Sequence, residues 1–310
     1  MNKEQALNDP WLVAVWPGMG AVSISAGYYL MAKLGMHLLT EFPALEFFDL
    51  DHIDVKRGLI ITGRLPRSRL FLWHDPMKKH DLIVFIGEAQ PPSKSNAFCS
   101  KLIRHVRRLG VECVFTFAAM ATQMRPEHPS RVFGGAIDRE SLSEFKSHNV
   151  EMLDDGKISG LNGALLGIAA ENGMRGGCLL GEMPHAFAQF PYPKASLAVL
   201  ETFTSLAGIT IDLTELQAQA LHVEQELDKL LHRLESSVQK TAEASTEVIP
   251  EQPEPDEDHL SPEDQEKLEK LFSSAEKDRS RAYELKQVLD RLKVFPEYED
   301  RFLDLFKKPD

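Results

Sequence analysis

The chain has 310 residues, is 43% hydrophobic and 26% charged, and carries 35 Lys and Arg against 47 Asp and Glu, a formal net charge of −12. The charge is lopsided: residues 214 to 310 hold 25 acids and 14 bases, leaving 22 and 21 for residues 1 to 213. A near-neutral body with an acidic tail offers no basic stripe to phosphates, which argues against nucleic-acid binding, and no apolar run reaches the 18 residues a membrane span needs.

Length predicts one large or two ordinary domains. WLVAVWPG at 11 to 18 reads as a strand buried on both faces that enters a turn, and AVSISAGYYLMAKLG at 21 to 35 as a helix closed by Gly35. GLIITG (58 to 63) and RLFLWHD (69 to 75) look like a hairpin, so a mixed sheet is expected. DLIVFIGEAQ (81 to 90) reads as a central strand, followed after Pro91 and Pro92 by a helix over 95 to 110 with Phe98, Leu102, Val106 and Leu109 on one face. Strands are expected at 111 to 121, 131 to 137 and 178 to 183, and helices at 160 to 173 and, opened by Pro193, at 193 to 208. Alternating strands and helices imply a sheet with helices on both faces.

From residue 212 the pattern changes. Asp212 can cap a helix and Glu215 can close the reciprocal capping box. Leu213, Leu216, Ala220, Val223, Leu227, Leu230 and Leu234 then recur at spacings of three and four, a heptad seam that needs a partner helix. Residues 241 to 262 hold seven acids, four prolines and no Lys or Arg, and read as a disordered linker. Ser261, Pro262 and Glu263 start a second amphipathic helical stretch, interrupted at Asp278 and Arg279. The expected division is an α/β domain over 1–212, a seam helix over 213–240, the linker over 241–262 and a helical segment over 263–310. The two helical stretches can pair within one chain or between subunits.

Candidate chemistry is sparse. Gly18 and Gly20 lie between a strand and a helix, where they either allow a tight turn or aim amides at a phosphate. Glu88 and Gln90 end the central strand, and Glu182 ends another with His185 three residues on. Strand ends of an open sheet form crevices, in which two carboxylates can divide acid and base roles or merely bond loop amides. No nucleophile elbow, zinc helix or phosphate loop occurs, so no metal or cofactor is expected. Cys99, Cys113 and Cys178 are odd in number and lack metal spacing, and MNKEQALNDPW lacks the regions of a signal peptide. A reduced, cytoplasmic setting is expected.

Several segments in order resemble one family: WLVAVWPGMG, FIGEAQPP, residues 118 to 138, GKISGLNGALLGIAAENGMRGGCLLGEMP at 156 to 184, and PYPKASLAVLETFTSLAGITIDLTEL at 191 to 216. Together they resemble the proteasome assembly chaperones of the second-subunit type and their archaeal and bacterial relatives. The resemblance implies a three-layer α/β/α sandwich with a mixed central sheet, phosphorylase/hydrolase-like, here with a C-terminal helical extension. It also implies a non-enzymatic binding module, self-associated as a trimer or higher homo-oligomer, with proteasome subunits as partners. Relatives that dock on the proteasome α-ring use a C-terminal tail of hydrophobic residue, tyrosine and any residue. This sequence closes on Phe306, Lys307, Lys308, Pro309 and Asp310, so that mode of docking is not expected. The other reading is a small-molecule enzyme, hydrolase, phosphorylase or ligase-like, using the strand-end crevice.

Overall fold

The structure is a computed structural model in which residues 7–49, 53–56, 58–61, 64–243 and 260–307 are described. The first half of the chain runs β1 (Trp11–Val15), α1 (Val22–Lys33), β2 (His37–Glu41), β3 (Asp54–Lys56), β4 (Leu59–Ile61), β5 (Ser68–Trp73), β6 (Leu82–Gly87) and α2 (Ser95–Arg107). It continues with β7 (Cys113–Thr122), β8 (Val132–Ala136), α3 (Arg139–Ser147), β9 (Glu151–Met152), α4 (Gly160–Glu171), β10 (Arg175–Pro184) and α5 (Pro193–Ala207). The helices α6 (Thr214–Glu243), α7 (Pro262–Lys277), α8 (Ala282–Arg291) and α9 (Phe295–Asp304) follow.

Among the described residues, eight strands form one sheet in the order β2-β5-β6-β1-β7-β10-β8-β9. β6, β1, β7 and β10 are parallel, whereas β5 runs antiparallel to β6 and β8 antiparallel to β10. The mixed sheet with helices on both faces is therefore present. Its central strands are apolar throughout because both faces are covered. Trp11, Val13 and Val15 of β1 enter the layer of α1 and α5, while Leu12 and Ala14 enter that of α2 and α4.

The hairpin expected from 58–63 and 69–75 does not form. β4 pairs with β3 in a separate two-stranded ribbon, and β5 lies between β2 and β6. Loop length and Pro66 suggested a local turn, but β5 buries both of its faces by inserting beside β6, a gain that a local hairpin lacks.

Helix signals at the C-terminal end hold locally. Ser261 Oγ accepts the Asp264 amide at 3.1 Å, and Asp278 accepts the Ser280 amide at 3.0 Å, which accounts for the interruption there. Asp212 accepts the Thr214 amide at 2.9 Å, but Glu215 pairs with Lys33 at 2.9 Å and leaves the capping box open.

The helices α8 and α9 lie against α1, and α7 packs on α8. Tyr28 meets Phe295 and Phe302 edge-on at 5.4 and 5.6 Å between ring centroids, Tyr29 meets Tyr283 at 4.4 Å, and Phe306 meets Phe71 at 6.1 Å. The Phe306 carbonyl also accepts the Leu38 amide of edge strand β2 at 2.6 Å, which covers part of an edge that could otherwise pair with another chain. The boundaries at 212, 240 and 262 remain a proposal. Most of the 241 to 262 stretch, and Lys308, Pro309 and Asp310, lie outside the described residues.

Phe302 is fully buried between α1 and the C-terminal helices. Phe302→Ala is expected to cost about 3–5 kcal/mol, read as a lower urea midpoint for the whole cooperative transition. A loss confined to a separate early transition would show that the C-terminal helices unfold independently of the sheet.

Candidate functional site

The turn from β1 to α1 is built around Gly20, at φ +61°. A Cβ there would stand 2.6 Å from Met183 Sδ, so the position demands glycine for both conformation and space. The Gly20 amide donates to the Ala188 carbonyl at 3.0 Å and the Ala21 amide to the Gly18 carbonyl at 3.0 Å. These two amides are committed to the protein itself. Gly18 is extended, and a Cβ on it would meet nothing within 4 Å.

Glu88 leaves β6 into a cluster of arginines. Its Oε2 accepts from Arg64 Nη1 at 2.6 Å and from the Arg67 amide at 2.9 Å, and its Oε1 accepts from Arg69 Nη1 at 2.9 Å. The Arg69 guanidinium is only 2% exposed and also reaches Asp300 of α9, as does Arg67 at 2.9 Å. Nearby, Tyr28 donates to Glu299 at 2.6 Å. Burial raises the Glu299 carboxyl above the usual carboxylate range, and that hydrogen bond only partly opposes it.

Glu182, on β10, has a different neighbourhood. It accepts from Arg131 Nε at 2.8 Å, Arg131 Nη2 at 2.7 Å and Thr122 Oγ1 at 2.7 Å. The Arg131 fork holds the carboxyl below the usual range despite burial. Thr122, Gln123, Met124, His128, Arg131 and Glu182 line a hollow of about 440 Å³. His185 begins the short turn after β10 and is exposed.

Glu88 and Glu182 do not share a crevice. β1 and β7 stand between their strands, a separation of about 14 Å at the usual strand spacing. Glu88 opens toward the face of α1 and α9 through Arg69 and Asp300, whereas Glu182 follows the alternation of Cys178 and Leu180 toward the α2 and α4 face. Gln90 is a bridge: its Nε2 donates to the Pro17 carbonyl at 3.0 Å and its Oε1 accepts the Leu161 amide at 3.4 Å. Neither Arg69 nor Arg131 belongs to a motif that marks it in the sequence. Arg69 had one visible signal, a guanidinium at the head of the apolar strand RLFLW. Among the described residues, no group of three His, Cys, Asp or Glu gathers in a metal-binding arrangement, and no helix is long and apolar enough to cross a membrane.

Most of the heptad seam is covered within the chain. Leu216, Ala220 and Leu227 are buried, with Leu213 and Val223 half-buried. α6 packs on α5, and Tyr283 of α8 donates to Gln219 at 2.5 Å. Leu230 is exposed, and Leu234 lies beyond the part of α6 whose side chains are described.

A carboxylate held below its ordinary pKa stabilises the fold above the unfolded value of about 4.3 and loses that contribution as pH falls through its folded value. Glu182→Gln is therefore expected to lower Tm at neutral pH, by an amount that shrinks as pH falls below about 4.3. Melting both proteins across acid pH checks this; a gap that does not change with pH would remove the charge of Glu182 as its cause.

An uncharacterised protein of Methanocaldococcus jannaschii is 27% identical over 249 residues, covering 77% of this chain and 90% of the relative. Among solved structures, PbaB of Pyrococcus furiosus, described as an archaeal proteasome activator, aligns with a TM-score of 0.62 at 25% identity over 74% of this chain and 96% of its own. A proteasome-assembly chaperone homologue of Mycobacterium tuberculosis shares the fold, with a TM-score of 0.61 at 20% identity over 71% of this chain and 94% of its own. The resemblance read from WLVAVWPGMG through GITIDLTEL therefore holds at the level of fold and sequence. Residues 12–231 match the model of the PAC2 family, and the chain belongs to that family.

Proposed function

We propose that the chain is a non-enzymatic protein-interaction module of the proteasome assembly chaperone kind, cytoplasmic and homo-oligomeric, that binds or assembles protein subunits. The observation that carries this reading is the β3–β4 ribbon. Ile53, Val55, Leu59 and Ile60 on it are 53%, 64%, 72% and 69% exposed. Val55 and Ile60 are directly opposite one another in the register. An isolated two-stranded ribbon is marginal in water, and a cluster of exposed aliphatic groups marks a contact surface. The description of PbaB as a proteasome activator supports a protein partner.

The enzyme reading lacks a supporting arrangement. Glu88 and Glu182 sit in separate ion-pair clusters, so they cannot act on one substrate as acid and base, which requires hydrogen-bond reach of the same group.

Light scattering should give a mass that is a multiple of 34.9 kDa, and Val55→Glu with Ile60→Glu should lower it with little change in Tm, as surface substitutions do. The tagged chain purified from its own host should retain a stoichiometric protein partner that the double variant loses. A monomeric chain that retains no partner overturns the proposal.

A further inference from the structure

The side of α9 that meets α1 carries a carboxyl among aromatic rings. Phe295, Glu299 and Phe302 stand at i, i+4 and i+7, which places them on one side of the helix. Phe295 and Phe302 meet the ring of Tyr28 edge-on, as described above, and the Tyr28 hydroxyl donates to Glu299 Oε1 at 2.6 Å. Tyr28 is 1% exposed and the Glu299 side chain 15%. This seat is apolar and nearly dry.

The elements around it do not supply a full counter-charge. Three guanidiniums, Arg64 and Arg67 of the loop before β5 and Arg69 of β5, face four carboxylates, Glu41 of β2, Glu88 at the end of β6, and Glu299 and Asp300 of α9. Asp300 accepts from Arg67 and Arg69, Glu88 accepts from Arg64 and Arg69, and Glu41 pairs with Arg67. Glu299 is left with Arg64 Nη2 at 3.8 Å, too far for a hydrogen bond. From α8, Lys286 lies over the Tyr28 ring at 5.1 Å, but both oxygens of Asp290 hold its ammonium, at 2.8 and 2.7 Å. The cluster therefore has one negative charge too many, and Glu299 is its least matched member. A buried carboxylate without a matched partner takes up a proton more readily than one in water. Burial first, and the charge of Glu88 after it, raise the Glu299 carboxyl against the opposing Tyr28 bond and the arginines. Burial also raises the Tyr28 hydroxyl, so it remains a donor.

We propose that α9 is a proton-linked latch, seated on Tyr28 most firmly with Glu299 neutral and loosened when that proton passes to solvent. Asp300 holds the helix to Arg67 and Arg69 independently, so proton loss weakens one of two attachments. Loosening uncovers the aromatic side of α1 and the Leu38 amide of edge strand β2, which donates to the Phe306 carbonyl just after α9. A carboxyl raised in the folded state contributes its stability fully below the unfolded value of about 4.3 and loses it as pH rises through the folded value. The sign is opposite to that at Glu182. α8 and α9 lie beyond the residues 12–231 that match the family, and the latch involves neither the β3–β4 ribbon nor a partner.

Melting the full chain and Glu299→Gln across pH tests the latch, because glutamine keeps the shape of the neutral acid at every pH. In mildly alkaline buffer Glu299→Gln should melt about 2 °C or more above the wild type, and the gap should close as pH falls toward about 4.3. Hydrogen exchange, corrected for the intrinsic effect of pH, reads the seat itself. Protection of the α9 amides and of Leu38 should fall by about tenfold or more in the wild type as pH rises and should hold in the variant. A carboxyl carbon-13 titration of the wild type, which needs no substitution to fold, should show one glutamate titrating above the ordinary range. A wild type more stable than Glu299→Gln throughout, a gap that does not change with pH, or no such glutamate overturns the proposal.

Discussion

A sheet whose central strands are apolar on both faces has to be kept dry from both sides, and the architecture follows from meeting that requirement. α2 and α4 cover one face and α1, α3 and α5 the other. The second layer is itself apolar outward: Tyr28 and Tyr29 of α1 have aromatic neighbours in α8 and α9. The C-terminal helices thus form a further shell over α1, and Phe306 extends it to the edge of the sheet. Burial on this scale ties residues far apart in the chain into one hydrophobic cluster.

The same requirement explains the polar cluster at Arg69. A guanidinium taken out of water is costly unless its charge and donors are matched, and Arg69 is matched from two directions, by Glu88 at the end of β6 and by Asp300 in α9. Glu88 thereby also fixes the loop carrying Arg64 and Arg67. Removing either carboxylate would leave a buried charge with half of its partners, so this cluster links the seating of α9 to the shape of the sheet edge. At Glu182 the opposing Arg131 is half-exposed, so the interaction there is more open to solvent and belongs to the rim of a surface hollow.

Function is distributed accordingly. The ion-paired carboxylates organise loops, and the aliphatic side chains of β3 and β4 stay exposed.

Much of this was legible in the sequence because it is locally encoded. The strands near 11, 82, 113 and 178 are contiguous apolar runs, the helices at 160 and 193 carry their own start signals, and Ser261 and Asp278 mark helix boundaries through bonds two or three residues away. Glu88, Gln90 and Glu182 could be placed at strand ends for the same reason. The partner of β5, the seating of α8 and α9 on α1 and the pairing of Arg69 with Asp300 could not, since each depends on contacts between residues far apart in the chain. Sequence periodicity determined which segments become strands and helices, because backbone geometry repeats every two or 3.6 residues. Strand order and the opposite orientation of the two carboxylates were decided only by tertiary packing, because they depend on which apolar faces meet.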